Sequence, residues 1–174
     1  MTIFDTINYL QNGTPRQQEA YRVLCSTKVM EKLEAFTPIL AGTIPLNIDI
    51  ADSDLDILCQ WNDADIFADA VKEAFENQQD FRIRHTIINN NETIIANFWC
   101  NGFEIEIFGQ AIPVKQQAGY QHLVAEHLIL QERGEDFRQQ VVALKNEGYK
   151  TEPAFAKLIG LEGNPYLELL NYAK

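Results

Sequence analysis

The stretch Gly42-Thr43-Ile44-Pro45-Leu46-Asn47-Ile48-Asp49-Ile50-Ala51-Asp52-Ser53-Asp54-Leu55-Asp56-Ile57-Leu58-Cys59-Gln60 decides the reading of this chain. Its second half, Leu55 to Gln60, reads as a strand, and in a strand alternate side chains share a face. Asp54 and Asp56 therefore project together while Leu55, Ile57 and Cys59 point the other way into a core. Two carboxylates held side by side repel each other unless a cation lies between them or one keeps its proton, so a divalent-metal site is the natural reading. The competing reading is a solvated strand entrance with no chemistry.

Outward from this stretch, Phe103-Glu104-Ile105-Glu106-Ile107-Phe108 repeats the pattern, with both glutamates on one face and Phe103, Ile105 and Ile107 on the other. If this strand lies beside the Asp54 strand, a glutamate completes a cluster of three carboxylates suited to Mg²⁺ and phosphate oxygens. Ordinary alternation on a half-exposed strand would look the same. Thr14-Pro15 opens a helix running to Phe36, with Ser26-Thr27 as a possible break, and residues 38–41 form a short strand. A helix over 64–75 carries Ile66, Phe67, Ala70, Val71, Ala74 and Phe75 on its apolar face. Strands over 81–88, 93–100 and 103–108 follow, and Asn101-Gly102 is a hairpin turn, so these three form an antiparallel meander. From Pro113 the pattern is helical, broken at Gly134, at 148–151 and at 160–165. The expected fold class is α+β (mixed α/β): a small, largely antiparallel sheet of about five strands flanked by helices. Residues 1–112 form the core and 113–174 a helical segment packed on it as one unit.

Three other aspartate motifs fit poorly. An EF-hand would take Asp52, Asp54 and Asp56 at its first, third and fifth positions but needs Gly and Glu where this chain has Ile57 and Asp63. A haloacid-dehalogenase Asp-x-Asp follows its apolar strand, whereas here the apolar run comes after the aspartates. A retaining-glycosyltransferase Asp-x-Asp is a loop feature, and no nucleotide-binding βα unit accompanies it here.

Gly42-Thr43, a spacer of ten residues, Asp54-Leu55-Asp56 and a later strand bearing Glu106 together resemble the signature of the nucleotidyltransferase superfamily, which includes DNA polymerase beta and the minimal nucleotidyltransferases. The wording around Gly42 and Ser53 is most similar to a bacterial group of nucleotidyltransferase-like proteins of unknown function. The resemblance covers residues 38–109. It implies a nucleotidyltransferase-like fold in which Gly42, Thr43 and Ser53 meet the nucleotide and Asp54, Asp56 and Glu106 are catalytic. It further implies that these three, with Glu104 as an alternative or additional ligand, hold Mg²⁺ or Mn²⁺. The implied reaction is in-line attack of an acceptor on the α-phosphate of a nucleoside triphosphate, with pyrophosphate leaving. Thr stands where Ser is usual and Glu where a third Asp is commoner. No Lys or Arg lies between Thr43 and Asp56, so Arg82, Arg84 or Lys115 is expected to supply cations for a triphosphate.

The 174 residues carry 25 acidic against 14 basic side chains, a net charge of −11, with 46% hydrophobic and 22% charged residues. Such composition belongs to a folded globular chain, and such charge disfavours long nucleic acid and anionic membrane as partners. With no apolar run long enough for a membrane span and no basic leader, a cytoplasmic location is expected. Cys25, Cys59 and Cys100, odd in number and in apolar surroundings, are expected to be free buried thiols. Trp61 and Trp99 read as core or rim residues. His122 and Glu126 are spaced i,i+4, which reads first as an ion pair on a helix surface and second as lining of an acceptor pocket. Two functions remain open: a metal-dependent nucleotidyltransferase acting on a small molecule or protein side chain, and a catalytically silent relative that binds a nucleotide or partner.

Overall fold

The computed structural model describes residues 2–173. Its helices are α1 (Pro15–Thr27), α2 (Val29–Lys32), α3 (Ala64–Phe75), α4 (Ala118–Asn146), α5 (Thr151–Ile159) and α6 (Pro165–Tyr172). Its strands are β1 (Ile39–Ala41), β2 (Leu55–Gln60), β3 (Gln79–Ile88), β4 (Asn91–Cys100) and β5 (Phe103–Gln110). They form one sheet in the order β1-β2-β5-β4-β3. β3, β4 and β5 make the expected antiparallel meander, β1 pairs antiparallel with β2, and β2 runs parallel to β5. The sheet is therefore mixed and mainly antiparallel.

Local chemistry sets the element ends. Thr14 and Gln17 close a capping box at the start of α1, the Thr14 hydroxyl accepting from the Gln17 N–H at 3.3 Å and the Gln17 side-chain oxygen accepting from the Thr14 N–H at 3.0 Å. The helix stops at Lys28, whose φ of 55° is left-handed, so the stretch read as helical to Phe36 breaks directly after the Ser26-Thr27 pair. Asp63 caps α3 by accepting from the N–H groups of Asp65 and Ile66 at 3.0 and 3.1 Å. α4 is broken at Gly134, with φ 79° and ψ −167°.

The two faces of the sheet bury different layers. Leu55, Ile57, Cys59, Ile105 and Ile107 pack against Val23 and Leu24 of α1 and Phe67, Val71 and Phe75 of α3. On the opposite face Ile39, Ala41 and Leu58 meet Leu123 of α4 and Phe155 of α5. Fully burying one such Phe or Leu stabilises by roughly 1.5–3 kcal/mol. The α3 layer sits close to the strands: a Cβ added at Gly109 would lie 2.2 Å from the Phe67 ring. Three apolar positions depart from expectation. Ile66 is on the solvent side of α3, Cys25 is exposed on α1 and Cys100 is half-buried, so of the free thiols Cys59 alone is buried. Trp61 is buried and Trp99 exposed. Among the described residues no helix is long and apolar enough to cross a membrane.

One side chain stitches the sheet to the C-terminal helices. Gln117, at the start of α4, is 1% exposed, and its amide donates to the carbonyls of Cys59 at 2.8 Å and Ile112 at 2.9 Å. Gln117→Ala leaves both carbonyls without this donor, and urea unfolding is expected to show a loss of about 1–3 kcal/mol. A midpoint unchanged from the parent would show that the stitch carries no stability.

Candidate functional site

β2 and β5 bring the carboxylates together. Their parallel register sets Asp56 directly against Glu106 and Leu55 against Ile105, so the carboxylates share the sheet face that looks toward α4 while the apolar residues face α1 and α3. Asp54, Asp56 and Glu106 line one cavity of about 570 Å³, together with Gly42, Thr43 and Ser53. Glu104 lies outside it, paired with Arg82 on the outer part of the meander. The cavity's opposite wall is helical and is formed by His122, Glu126 and Lys145 of α4, Lys150 and Glu152.

The loop between β1 and β2 is held rigidly at the cavity rim. Gly42 adopts φ +75°, and a Cβ there would sit 2.0 Å from Asp56 Oδ2, so glycine is required both for the turn and for the carboxylate beside it. The Ser53 hydroxyl accepts from the Ile50 N–H at 2.9 Å and from the Thr43 hydroxyl at 3.1 Å, which clips the loop's two ends together. Three side-chain donors from distant helices satisfy the loop's carbonyls: Gln17 to Ile44 at 2.8 Å, Arg138 to Leu46, and Lys145 to Ile48 at 2.8 Å.

The electrostatics follow from crowding acids in a partly dry wall. Burial, then the neighbouring charges of Asp54 and Glu106, push the Asp56 carboxyl up to about 8, with Lys145 pulling in the opposite direction. Burial also raises Glu106, opposed by the Asn97 amide, which donates to Glu106 Oε2 at 3.1 Å, and by the charge of Arg84. Lys145 is lowered by burial against the pull of Glu126, Asp49, Glu152 and Asp54.

Of the cations expected from sequence, Lys115 pairs with Asp5 at 2.7 Å and Arg82 with Glu104, both away from the cavity. The lysines that do line it, Lys145 and Lys150, come from the C-terminal helical segment, where nothing local in the sequence marks them. Asn97 was discoverable: counting back from the Asn101-Gly102 turn places it opposite Glu106. The helix-surface reading of His122 and Glu126 is overturned. They are 8% and 4% exposed, make no ion pair with each other, and face the cavity.

Residues 9–172 match the family described as a domain of unknown function, DUF4269, and the chain belongs to that family. No curated protein matches it in sequence. Among solved structures it is similar to the Cid1 poly(U) polymerase bound to MgGTP, with TM-score 0.55 and 11% identity over 80% of this chain and 46% of that one. It is also similar to the GLD-2/RNP-8 complex, with TM-score 0.56 and 10% identity over 95% of this chain and 63% of that one. A cytoplasmic RNA terminal U-transferase aligns with TM-score 0.55 and 11% identity over 76% of this chain and 41% of that one. The chain spans about half the length of the Cid1 structure. These likenesses show that the chain shares its fold with those proteins.

The raised Asp56 carboxyl has a consequence for stability. Below about pH 4 both folded and unfolded chains hold its proton; between pH 4 and 8 the unfolded chain loses the proton and the folded chain keeps it, so rising pH removes stability, and the loss levels off above 8. Asp56→Asn abolishes this cost. In metal-free buffer its melting temperature is expected to exceed the parent's by a margin that widens from pH 5 to pH 8, and a margin constant with pH would contradict the assignment.

Proposed function

We propose that this protein is a Mg²⁺- or Mn²⁺-dependent nucleotidyltransferase that moves a nucleoside monophosphate from a triphosphate to a small-molecule or protein acceptor. The observation that carries the reading is the convergence of Asp54, Asp56 and Glu106 on one cavity wall beside the Gly42-Thr43 turn. The donor set suits a hard cation, being all carboxylate oxygen. An acid pushed up to about 8 by burial and then by the like charges of Asp54 and Glu106 fits a wall built to hold a cation. Asp54 and Asp56 would be shared ligands and Glu106 the ligand on the acceptor side. When bound, the metal supplies charge neutralisation at phosphate oxygens and lowers the pKa of an acceptor hydroxyl.

The chain's own residues do the remainder. Gly42 has no side chain, so its backbone allows close approach of a phosphate, and the Thr43 hydroxyl and the Ser53 clip keep that turn in place. Asn97 holds Glu106 in position by its amide. Lys145 and Lys150 offset triphosphate charge from the helical wall. In-line transfer then rests mainly on positioning and electrostatics, with pyrophosphate as the leaving group. The net charge of −11 favours a small or protein acceptor over a long nucleic acid.

A thermal-shift screen with Mg²⁺ or Mn²⁺ and each nucleoside triphosphate tests the reading, because a ligand that binds only the folded chain raises its melting temperature. The parent is expected to rise by several degrees with one or more triphosphates. Asp54→Asn and Glu106→Gln should fold normally without metal, lose the shift and lose nucleotidyl transfer by at least about 100-fold. A response that survives in both variants, or no response to any triphosphate, would overturn the proposal.

A further inference from the structure

The helical wall of the cavity holds a second group of potential ligands of different chemistry. His122 and Glu126 lie one turn apart on α4, and Glu152 enters from the first turn of α5. One ligand atom from each lies within 4.8 Å of the others. For donors at the ~2.0–2.2 Å bond lengths of a tetrahedral site, neighbouring ligand atoms are roughly 3.4 Å apart, so a small side-chain adjustment brings the three around one ion.

Burial separates this group from an ordinary surface pair. His122 is 8% exposed and Glu126 4% exposed. The Nδ1 atom of His122 is buried with no hydrogen-bond partner. Leaving a buried polar group unpaired costs roughly 1–3 kcal/mol, and an imidazole and a carboxyl facing one cavity would ordinarily bond to each other. Here their ligand atoms lie within 4.8 Å of each other and form no ion pair, and the Tyr166 ring stands edge-on to His122 at 6.1 Å. Burial also disfavours the imidazolium form of His122, and a neutral imidazole is the form that ligates.

We propose that His122, Glu126 and Glu152 form a second divalent-cation site, of the Zn²⁺ class, in the helical wall of the cavity. One imidazole nitrogen with two carboxylate oxygens is a borderline donor set, unlike the all-oxygen wall of Asp54, Asp56 and Glu106. Three protein ligands leave a coordination position open, and the three residues line the cavity, so that position faces the space available to a substrate. The ion joins α4 to α5 across the turn between them. The proposal stands independently of the nucleotide reading, since it uses none of the same ligands.

Calorimetric titration with Zn²⁺ alone tests it, in Cys25→Ser protein so that the exposed thiol does not contribute. The Asp54→Asn/Asp56→Asn double variant is expected to keep one equivalent of Zn²⁺ binding, and adding Glu126→Gln or His122→Gln is expected to weaken that binding at least tenfold. Uptake lost with the two aspartates, or unchanged by both helical variants, would overturn the site. Imidazole ¹⁵N spectra of the Cys25→Ser/Asp54→Asn/Asp56→Asn protein, with His122, Glu126 and Glu152 intact, give a second reading that needs no change at the proposed ligands, because the chain has only three histidines. One equivalent of Zn²⁺ should shift the His122 nitrogens and leave His85 and His127 in place. A His122 signal that stays put while Zn²⁺ binds would contradict the proposal, as would an absence of binding.

Discussion

The parallel pairing of β2 with β5 is the constraint on which the site depends. It joins strands separated by about fifty residues of sequence and, by register, sets Asp56 against Glu106. The apolar sides of the same two strands, Leu55, Ile57, Ile105 and Ile107, are all fully buried against α1 and α3. A slip of one residue would exchange the faces, driving carboxylates into that core and turning isoleucines toward the cavity. Core packing therefore enforces an arrangement that electrostatics alone would disfavour. The acids are held together by the hydrophobic face behind them, and burial, with the charge of neighbouring acids added, raises the Asp56 and Glu106 carboxyls.

The same logic explains why the C-terminal helices belong to the site. Arg138 and Lys145 reach carbonyls of the loop between β1 and β2, while Gln17 reaches it from α1. That loop carries Gly42, Thr43 and Ser53, and its ends are clipped by the Thr43–Ser53 hydrogen bond. Lys145 has two functions at once: its amine satisfies Ile48, and its charge lies near both Asp54 and Glu126. The helical segment thus fixes the rim of the cavity and adds positive charge to a protein that is strongly acidic overall.

What could be read in advance follows from how local each signal is. Strand alternation placed Asp54, Asp56 and the glutamates on one face, and the Asn101-Gly102 turn located the meander, since both depend on neighbours in sequence. Choosing between Glu104 and Glu106 required the partner strand, because alternation puts both on the same face and only Glu106 lines the cavity. The i,i+4 spacing of His122 and Glu126 states that they share a helix face but not which way the face turns; packing on the sheet turns it inward. Lys145 and Lys150 arrive from about ninety residues beyond the aspartates, and no local pattern announces that approach. Cys25 and Ile66 show the reverse error, apolar side chains at helical spacing that sit just outside the buried stripe.

The central claim is that Asp54, Asp56 and Glu106 form a wall in which the proton held by Asp56 gives way to a cation. It is tested most directly by counting protons released when Mn²⁺ binds at pH 7, by calorimetry in buffers of different ionisation enthalpy. Glu126→Gln protein is used so that the helical carboxyl adds none. With Asp56 held near 8 by burial and by its neighbours, binding should expel about one proton, and the observed heat should vary with the buffer. Heat that is the same in every buffer, or the absence of Mn²⁺ binding, would contradict the account.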